Sequence, residues 1–136
     1  MLRILIAEDN DEDFVAFQRV LSRSNGATLI RCRDGEEVIN YLSKALDGAD
    51  SRPSIILLDI NMPGTDGRET LVRLKSDSAF RSIPIVVFST STRPKDIVDC
   101  YEQGASGYMN KPVNYMELER NLCNLLDYWE HTMLLP

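Results

Sequence analysis

The chain alternates between short apolar runs and longer stretches in which apolar residues recur every three or four positions. Residues 2–7 form a near-continuous apolar run that stops at Glu8, the pattern of a strand covered on both faces. Asn10 or Asp11 then offers a helix cap, and Phe14, Phe17 and Leu21 share one face of a helix reaching about Ser24. Residues 27–32 read as a second, less apolar strand, which suggests a sheet edge. Asp34 starts a helix carrying Val38, Ile39, Leu42 and Leu46, and the polar segment 47–53, with Gly48 and Pro53, is a surface loop. Residues 54–58 are the most buried-looking strand. The turn-rich stretch Asn61-Met62-Pro63-Gly64-Thr65-Asp66-Gly67 follows it. A helix using Leu71, Leu74 and Lys75 fades by Ser78. Residues 83–88 predict a fourth strand with Pro84 near its start, and residues 93–103 a fourth helix ended by Gly104. Gly107–Asn110 is a brief fifth strand, and residues 115–131 a long final helix.

Strict alternation of strand and helix with short connections predicts one α/β domain, a parallel sheet with helices on both faces. Ligands of such sheets sit outside the carboxyl ends of the strands. The polar residues just past the apolar runs are therefore the ones to weigh: Glu8-Asp9, Asp59 and Asn61, Ser89-Thr90-Ser91, and Lys111. The second strand offers nothing comparable. Each of these has a bland use on its own, as a helix cap, a strand-end hydroxyl or a solvated lysine. Their placement at four successive strand ends is what points to a site.

Charge narrows the chemistry. Fifteen Lys and Arg against 21 Asp and Glu leave a net charge of -6, which argues against a nucleic-acid partner. No basic amphipathic stretch suits an anionic membrane surface, and no apolar run approaches the ~20 residues that span a bilayer. The three cysteines, Cys32, Cys100 and Cys123, lack C-x-x-C spacing, so neither a disulfide framework nor a zinc site is expected and a reducing compartment fits. The one histidine, His131, lies near the C-terminus, which leaves Ser-His-Asp or Cys-His catalysis without a placed base. If the first and third strands are neighbours, Glu8, Asp9 and Asp59 converge. Carboxylates ~4 Å apart repel by about 4 kcal/mol at an effective dielectric of 20, so a cation belongs among them. All-oxygen ligation by few protein groups suits Mg²⁺ sharing a phosphate. Lys111 supplies a point charge and Ser89 a hydroxyl for phosphate oxygens. The combination describes a site for a phosphoryl group carried by a carboxylate.

The set Glu8-Asp9, Asp59-x-Asn61-Met62-Pro63-x-x-Asp66-Gly67, Ser89, Tyr108 and Lys111-Pro112 resembles the receiver domain of two-component response regulators, and the likeness covers essentially the whole chain. It implies a flavodoxin-like (βα)5 fold with strand order 2-1-3-4-5, over residues 1–136 as a single domain. It implies that Asp59 is the phosphoacceptor, attacking the phosphohistidine of a sensor histidine kinase. Asp9 would then bind Mg²⁺ directly and Glu8 through water, with Asp59 and the backbone carbonyl of Asn61 completing the ligands. Ser89 would swing toward the phosphate, Lys111 would pair with it, and Tyr108 would follow Ser89 from an outward to an inward rotamer. That movement would alter the face built from the fourth helix, fifth strand and fifth helix. The Lys111–Pro112 bond would be cis, and Pro63 and Gly67 would shape the loop after Asp59. Two departures stand out. Glu8 replaces the commoner Asp, and Thr90 stands where Ala or Ser is usual beside the phosphate, a β-branched group able to slow access of donor or water.

The final helix bears on partners. Tyr115, Leu118, Leu122, Leu125, Leu126, Trp129 and Met133 fall on one stripe, of which Leu118, Leu122 and Leu125 are expected to pack on the sheet. Residues 129–136 extend as an apolar continuation of that helix, and Tyr108, Leu126, Trp129, Met133 and Leu134 are interface candidates. The loop after the second helix, the segments around Ser89 and Lys111, and Asp127-Tyr128-Trp129 resemble single-domain regulators that partner bacterial phytochrome-type kinases, some of them dimeric. The expectation is thus a cytoplasmic phosphorylatable switch, not an enzyme beyond its own phosphorylation and dephosphorylation, acting on a downstream protein partner or as a homodimer. Three alternatives are open: a relay intermediate passing its phosphoryl group to a phosphotransfer protein, a non-phosphorylated pseudo-receiver, and an aspartate-nucleophile phosphatase. The last usually has a second Asp two residues after its nucleophile, where this chain has Asn61, and carries a cap domain.

Overall fold

A computed structural model describes residues 2–23, 27–48, 52–62 and 66–136. Five strands, β1 (Arg3–Ala7), β2 (Thr28–Cys32), β3 (Ile55–Asp59), β4 (Ile85–Ser89) and β5 (Gly107–Asn110), alternate with five helices. The helices are α1 (Asp11–Leu21), α2 (Gly35–Leu46), α3 (Gly67–Ser76), α4 (Pro94–Glu102) and α5 (Tyr115–Asp127). The sheet is parallel throughout, in the order β2-β1-β3-β4-β5. The order explains the strand compositions. The central β3 and β4 are buried at every position, whereas β2 and β5 lie at the edges, half exposed.

Side chains alternate strictly across the sheet, as the two-residue period of a strand requires. Leu5, Ile56, Leu58, Ile85 and Val87 pack on the face covered by Val38, Leu42, Leu71, Leu74 and Cys100 of α2, α3 and α4. Ile4, Ile6, Leu57 and Phe88 pack on the other, against Phe17, Val20, Leu118, Leu122 and Leu126 of α1 and α5. The pairs Ala7–Leu58, Asp59–Phe88 and Ser89–Asn110 align the carboxyl ends of four strands. Residues immediately past them are thereby brought side by side.

The helix starts follow local chemistry. The Asn10 side chain accepts from Asp13 N, Asp34 from Glu37 N, Asp66 from Arg68 N, and Asn114 from Met116 N and Glu117 N. Only α4 begins without a side-chain cap, with Pro94 in its first turn. Gly104 follows α4 at φ 103°, the left-handed conformation expected of it. Of the turn after β3, Pro63, Gly64 and Thr65 fall outside the described residues.

Two expectations about the C-terminal region are corrected. The α-helix ends at Asp127, and Tyr128–Thr132 forms a π-helical turn closed by Met133 N donating to the Tyr128 carbonyl at 3.2 Å. Met133 is extended, so residues 133–136 do not continue the helix. The wider turn carries Trp129 and Leu135 against the α1–α5 core, where both are partly buried. Leu126, an interface candidate in the sequence, is buried, while Leu125 packs partly buried on the same core as expected. Both neighbours fall within the inward stripe, and helical periodicity alone does not rank their burial.

Gly67 decides how closely α3 approaches β3. A Cβ there would sit 2.4 Å from the Ile60 Cα and 2.8 Å from the Asp59 carbonyl oxygen, both backbone atoms that cannot yield cheaply. Gly67→Ala is expected to destabilise the fold by about 1–3 kcal/mol, the usual cost of overpacking. Urea denaturation checks this, and an unchanged midpoint would contradict the close approach.

Candidate functional site

The carboxyl edge of the sheet gathers the acidic residues that the sequence singled out. Glu8 follows β1, tied down by its N–H to the Cys32 carbonyl at 2.9 Å and by Arg31 Nε to its own carbonyl at 3.0 Å. Asp59 closes β3. Glu8 and Asp59 are buried at 0% and 3% exposure, and Asp9 is half-buried. Each of the three directs one carboxylate oxygen to a common point, all within 4.8 Å of one another. They line an open cleft of about 270 Å³ shared with Asn10, Asp13, Asn61, Thr90 and Lys111.

Lys111 arrives from beyond β5, its backbone N–H donating to the Ser89 carbonyl at 2.8 Å. Its Nζ lies 2.6 Å from Glu8 Oε1, 2.9 Å from Asp13 Oδ2 and 3.1 Å from Asp59 Oδ2, and 5.0 Å from the centre of the Phe88 ring. Burial works against the ammonium charge, yet hydrogen bonding to Glu8 and Asp13 and the field of Asp59 outweigh it and raise the Lys111 pKa. Burial pushes the Glu8 carboxyl up to about 8, with the Asp59 charge adding to the rise and the Lys111 hydrogen bond opposing it.

On the other side of Asp59, Asn61 N donates to Asp59 Oδ1 at 2.9 Å and Asn61 Nδ2 donates to Ser89 Oγ at 3.1 Å. Ser89 is fully buried and also accepts from Ser91 N at 3.1 Å. The Tyr108 hydroxyl donates to the Ser91 carbonyl at 2.9 Å, so the tyrosine is turned inward onto the β4–α4 loop. Thr90 is exposed at the cleft rim.

Some expectations do not hold. The Lys111–Pro112 bond is trans, since no cis peptide occurs among the described residues. Trans is the ordinary isomer of an X–Pro bond, favoured by about 0.5–1 kcal/mol. Leu126 is core and unavailable to a partner, whereas Trp129 and Met133 are half-buried and still line surface clefts. Leu134 is fully exposed. Tyr101, Tyr108, Met109, Leu125, Tyr128 and Trp129 line a groove of about 460 Å³ against β5.

Two groups of residues escaped the sequence reading. Asp13 reaches Lys111 because the Asn10 cap puts it in the first turn of α1, facing back toward the strand ends. The Asn10-x-x-Asp13 spacing carries that signal. Asp96 is buried on α4 and takes Ser91 Oγ at 2.5 Å, Arg68 at 2.6 Å and Arg93 Nε at 3.0 Å. The Ser91 hydrogen bond, then Arg68 and Arg93, hold its carboxyl down to about 2 despite its burial. No local pattern announces that cluster.

The cysteines are free, and burial raises the thiol pKa of Cys100 and pushes that of Cys32 up to about 12. Among the described residues no helix is long and apolar enough to cross a membrane.

Comparison with known proteins agrees with this geometry. The family profile "response regulator receiver domain" matches residues 4–122. The chain is 35% identical over 135 residues to the response regulator Rcp1 of Synechocystis sp., covering 98% of this chain and 92% of Rcp1. It superposes with TM-score 0.93 on the phosphorylated cyanobacterial phytochrome response regulator RcpA, at 36% identity and with 99% and 98% of the two chains covered. The Mn²⁺-bound form of Rcp1 superposes equally well, with TM-score 0.93, 33% identity and 100% and 99% coverage.

Because its folded-state pKa lies below the ordinary aspartate value of 3.8, Asp96 contributes stability above about pH 4 that is lost as pH falls toward 2. The gap in urea midpoint between the native chain and Asp96→Asn is expected to stay constant from neutral pH to pH 5. It should then close on further acidification. A gap that widened in acid would reverse the assignment.

Proposed function

The chain belongs to the response regulator receiver domain family, and on that premise we propose that residues 1–136 are a single receiver domain in which Asp59 is the phosphoacceptor. Receiver domains accept phosphoryl groups in two-component signalling from histidine kinases, act on downstream partners and bind a divalent metal ion. The observation that carries the assignment is the convergence of Glu8, Asp9 and Asp59 within 4.8 Å, with Lys111 Nζ 3.1 Å from Asp59.

An Asp59 carboxylate oxygen attacks the phosphorus of a phosphohistidine. The new P–O bond forms as the P–N bond breaks, and the electron pair returns to the imidazole nitrogen. Lys111 offsets the charge of the transferred group, and Ser89 turns its hydroxyl toward a phosphoryl oxygen. The donor set is all oxygen, which fits a hard cation such as Mg²⁺. Asp9, Asp59 and the Asn61 carbonyl would hold it directly and Glu8 through water, and when bound it supplies charge neutralisation at the phosphoryl oxygens. Thr90 stands exposed at the rim, a β-branched group on the path by which donor or water reaches the site. Beyond this self-chemistry the domain turns over no substrate.

The likeness to RcpA, a phytochrome response regulator, supports a phytochrome-type sensor kinase as the donor, and the free cysteines fit a cytoplasmic setting. The output is the face of α4, β5 and α5, and the groove beside Tyr108 and Trp129 supports homodimerisation there; the exposed Leu134 lines a separate cleft with Met133 and Leu135. The same face would receive a downstream partner.

Intact mass with Mg²⁺ and acetyl phosphate is expected to show gain of one hydroxylamine-labile phosphoryl group. Asp59→Asn should abolish the gain while the fold survives, and retained labelling in that variant would overturn the reading. Sedimentation with beryllofluoride is expected to show a dimer that Trp129→Ala returns to monomer. A chain that gains mass but stays monomeric would overturn the dimer and favour a relay intermediate.

A further inference from the structure

Ser91 spends all three of its polar groups on different parts of the fold. Its N–H donates to Ser89 Oγ at 3.1 Å, its carbonyl accepts from the Tyr108 hydroxyl at 2.9 Å, and its own hydroxyl donates to Asp96 Oδ2 at 2.5 Å. Asp96 is 5% exposed, and its other oxygen takes Arg68 Nη2 at 2.6 Å. Arg68 is the second residue of α3, next to Gly67, whose N–H reaches the Ile60 carbonyl at 3.4 Å just beyond Asp59. Arg93 bonds Asp96 at 3.0 Å and its N–H donates to Ser91 Oγ at 3.3 Å, which closes the loop onto the same carboxylate. The β4–α4 loop is therefore held from α3 and α4 through one buried anion.

A charge-assisted hydrogen bond to a carboxylate is roughly twice as strong as a neutral one. The Ser91–Asp96 bond is thus the stiffest of the three contacts at Ser91. It fixes where the Ser91 N–H and carbonyl stand, and so how Ser89 and Tyr108 meet. We propose that Asp96, braced by Arg68, is a positioning residue that holds Ser91 so that occupancy of the Asp59 site is read out at Tyr108. The proposal rests on Asp59 being the phosphoacceptor, and it adds residues that touch neither the phosphoryl group nor the cation. Asp96 prearranges the loop through Ser91, so that occupancy of the Asp59 site has to move only Ser89 and Tyr108 and not the backbone between them.

The test measures beryllofluoride affinity of the full chain in saturating Mg²⁺ by calorimetry. The variants are Ser91→Ala, Asp96→Ala, Arg68→Ala, Tyr108→Phe and the Asp96→Ala/Tyr108→Phe pair. Asp96→Ala is expected to weaken beryllofluoride binding by at least about fivefold, the lower end of coupling between linked sites, with affinity for Mg²⁺ alone unchanged. Because both residues act through Ser91, the pair should lose less than the product of the two single losses. Ser91→Ala, which deletes one hydroxyl and disturbs packing least, carries the same expectation should Asp96→Ala not fold. Variants with lowered unfolding midpoints but native beryllofluoride affinity would overturn the proposal and leave only a structural role. Losses that multiply independently would overturn it as well. A native chain that neither binds beryllofluoride nor gains mass from acetyl phosphate would overturn the phosphoacceptor reading itself.

Discussion

Glu8 and Asp59 are taken out of water side by side, and that constraint governs the carboxyl edge of the sheet. Two buried carboxylates raise each other's energy, and burial penalises both charges before they interact. The fold answers with Lys111, whose ammonium spans Glu8, Asp13 and Asp59 within 3.1 Å. Much of the architecture follows from delivering that one group. β5 must pair with β4 in the register that sets Asn110 beside Ser89, because Lys111 follows directly. The α1 helix must begin at the Asn10 cap for Asp13 to face the same ammonium.

The balance is deliberately incomplete. One ammonium faces carboxylates from Glu8, Asp13 and Asp59, with Asp9 alongside and an open cleft on the solvent side. Burial first, and the Asp59 charge after it, raise the Glu8 pKa. A site with surplus buried negative charge takes a divalent cation readily. With the cation in place it also tolerates a phosphoryl group that it would otherwise repel. On the proposed reading, the acidity that first looked like a bulk property of the chain is concentrated where it creates demand for a metal.

How much of this is legible in a sequence depends on whether the cause is local. The both-faced apolar runs of β1, β3 and β4 and the polar residues following them are local, and the acidic cluster could be read from them. Caps at Asn10 and Asp34 are local too. The isomer at Pro112 is not, since no residue around Lys111-Pro112 marks it in the sequence. Nor is the deeper burial of Leu126 than of Leu125, which the packing around α5 decides. The π-helical turn at Tyr128–Thr132 has no compositional mark, and it alone reassigns Trp129 from a free helix face to the margin of the core. Asp96 illustrates the limit best. In the sequence it is one more acid in the first turn of a helix, and only the approach of Arg68 from α3 makes it a buried hub.

The same distinction says where a signal can travel. β3 and β4 are buried at every position and packed on both faces, so they cannot shift without breaking the core. Asp59 and Ser89 stand at the ends of those rigid strands, which leaves the connections beyond them as the parts able to respond. The connection after β4 is held by few bonds, concentrated on Ser91 and Asp96, and it touches both Ser89 and Tyr108. A segment anchored at a few polar points between rigid elements has a small number of discrete arrangements, and such an element can convert occupancy at one end of a sheet into a changed surface at its edge. β5, half exposed and only four residues long, is the strand best suited to carry that change to a partner.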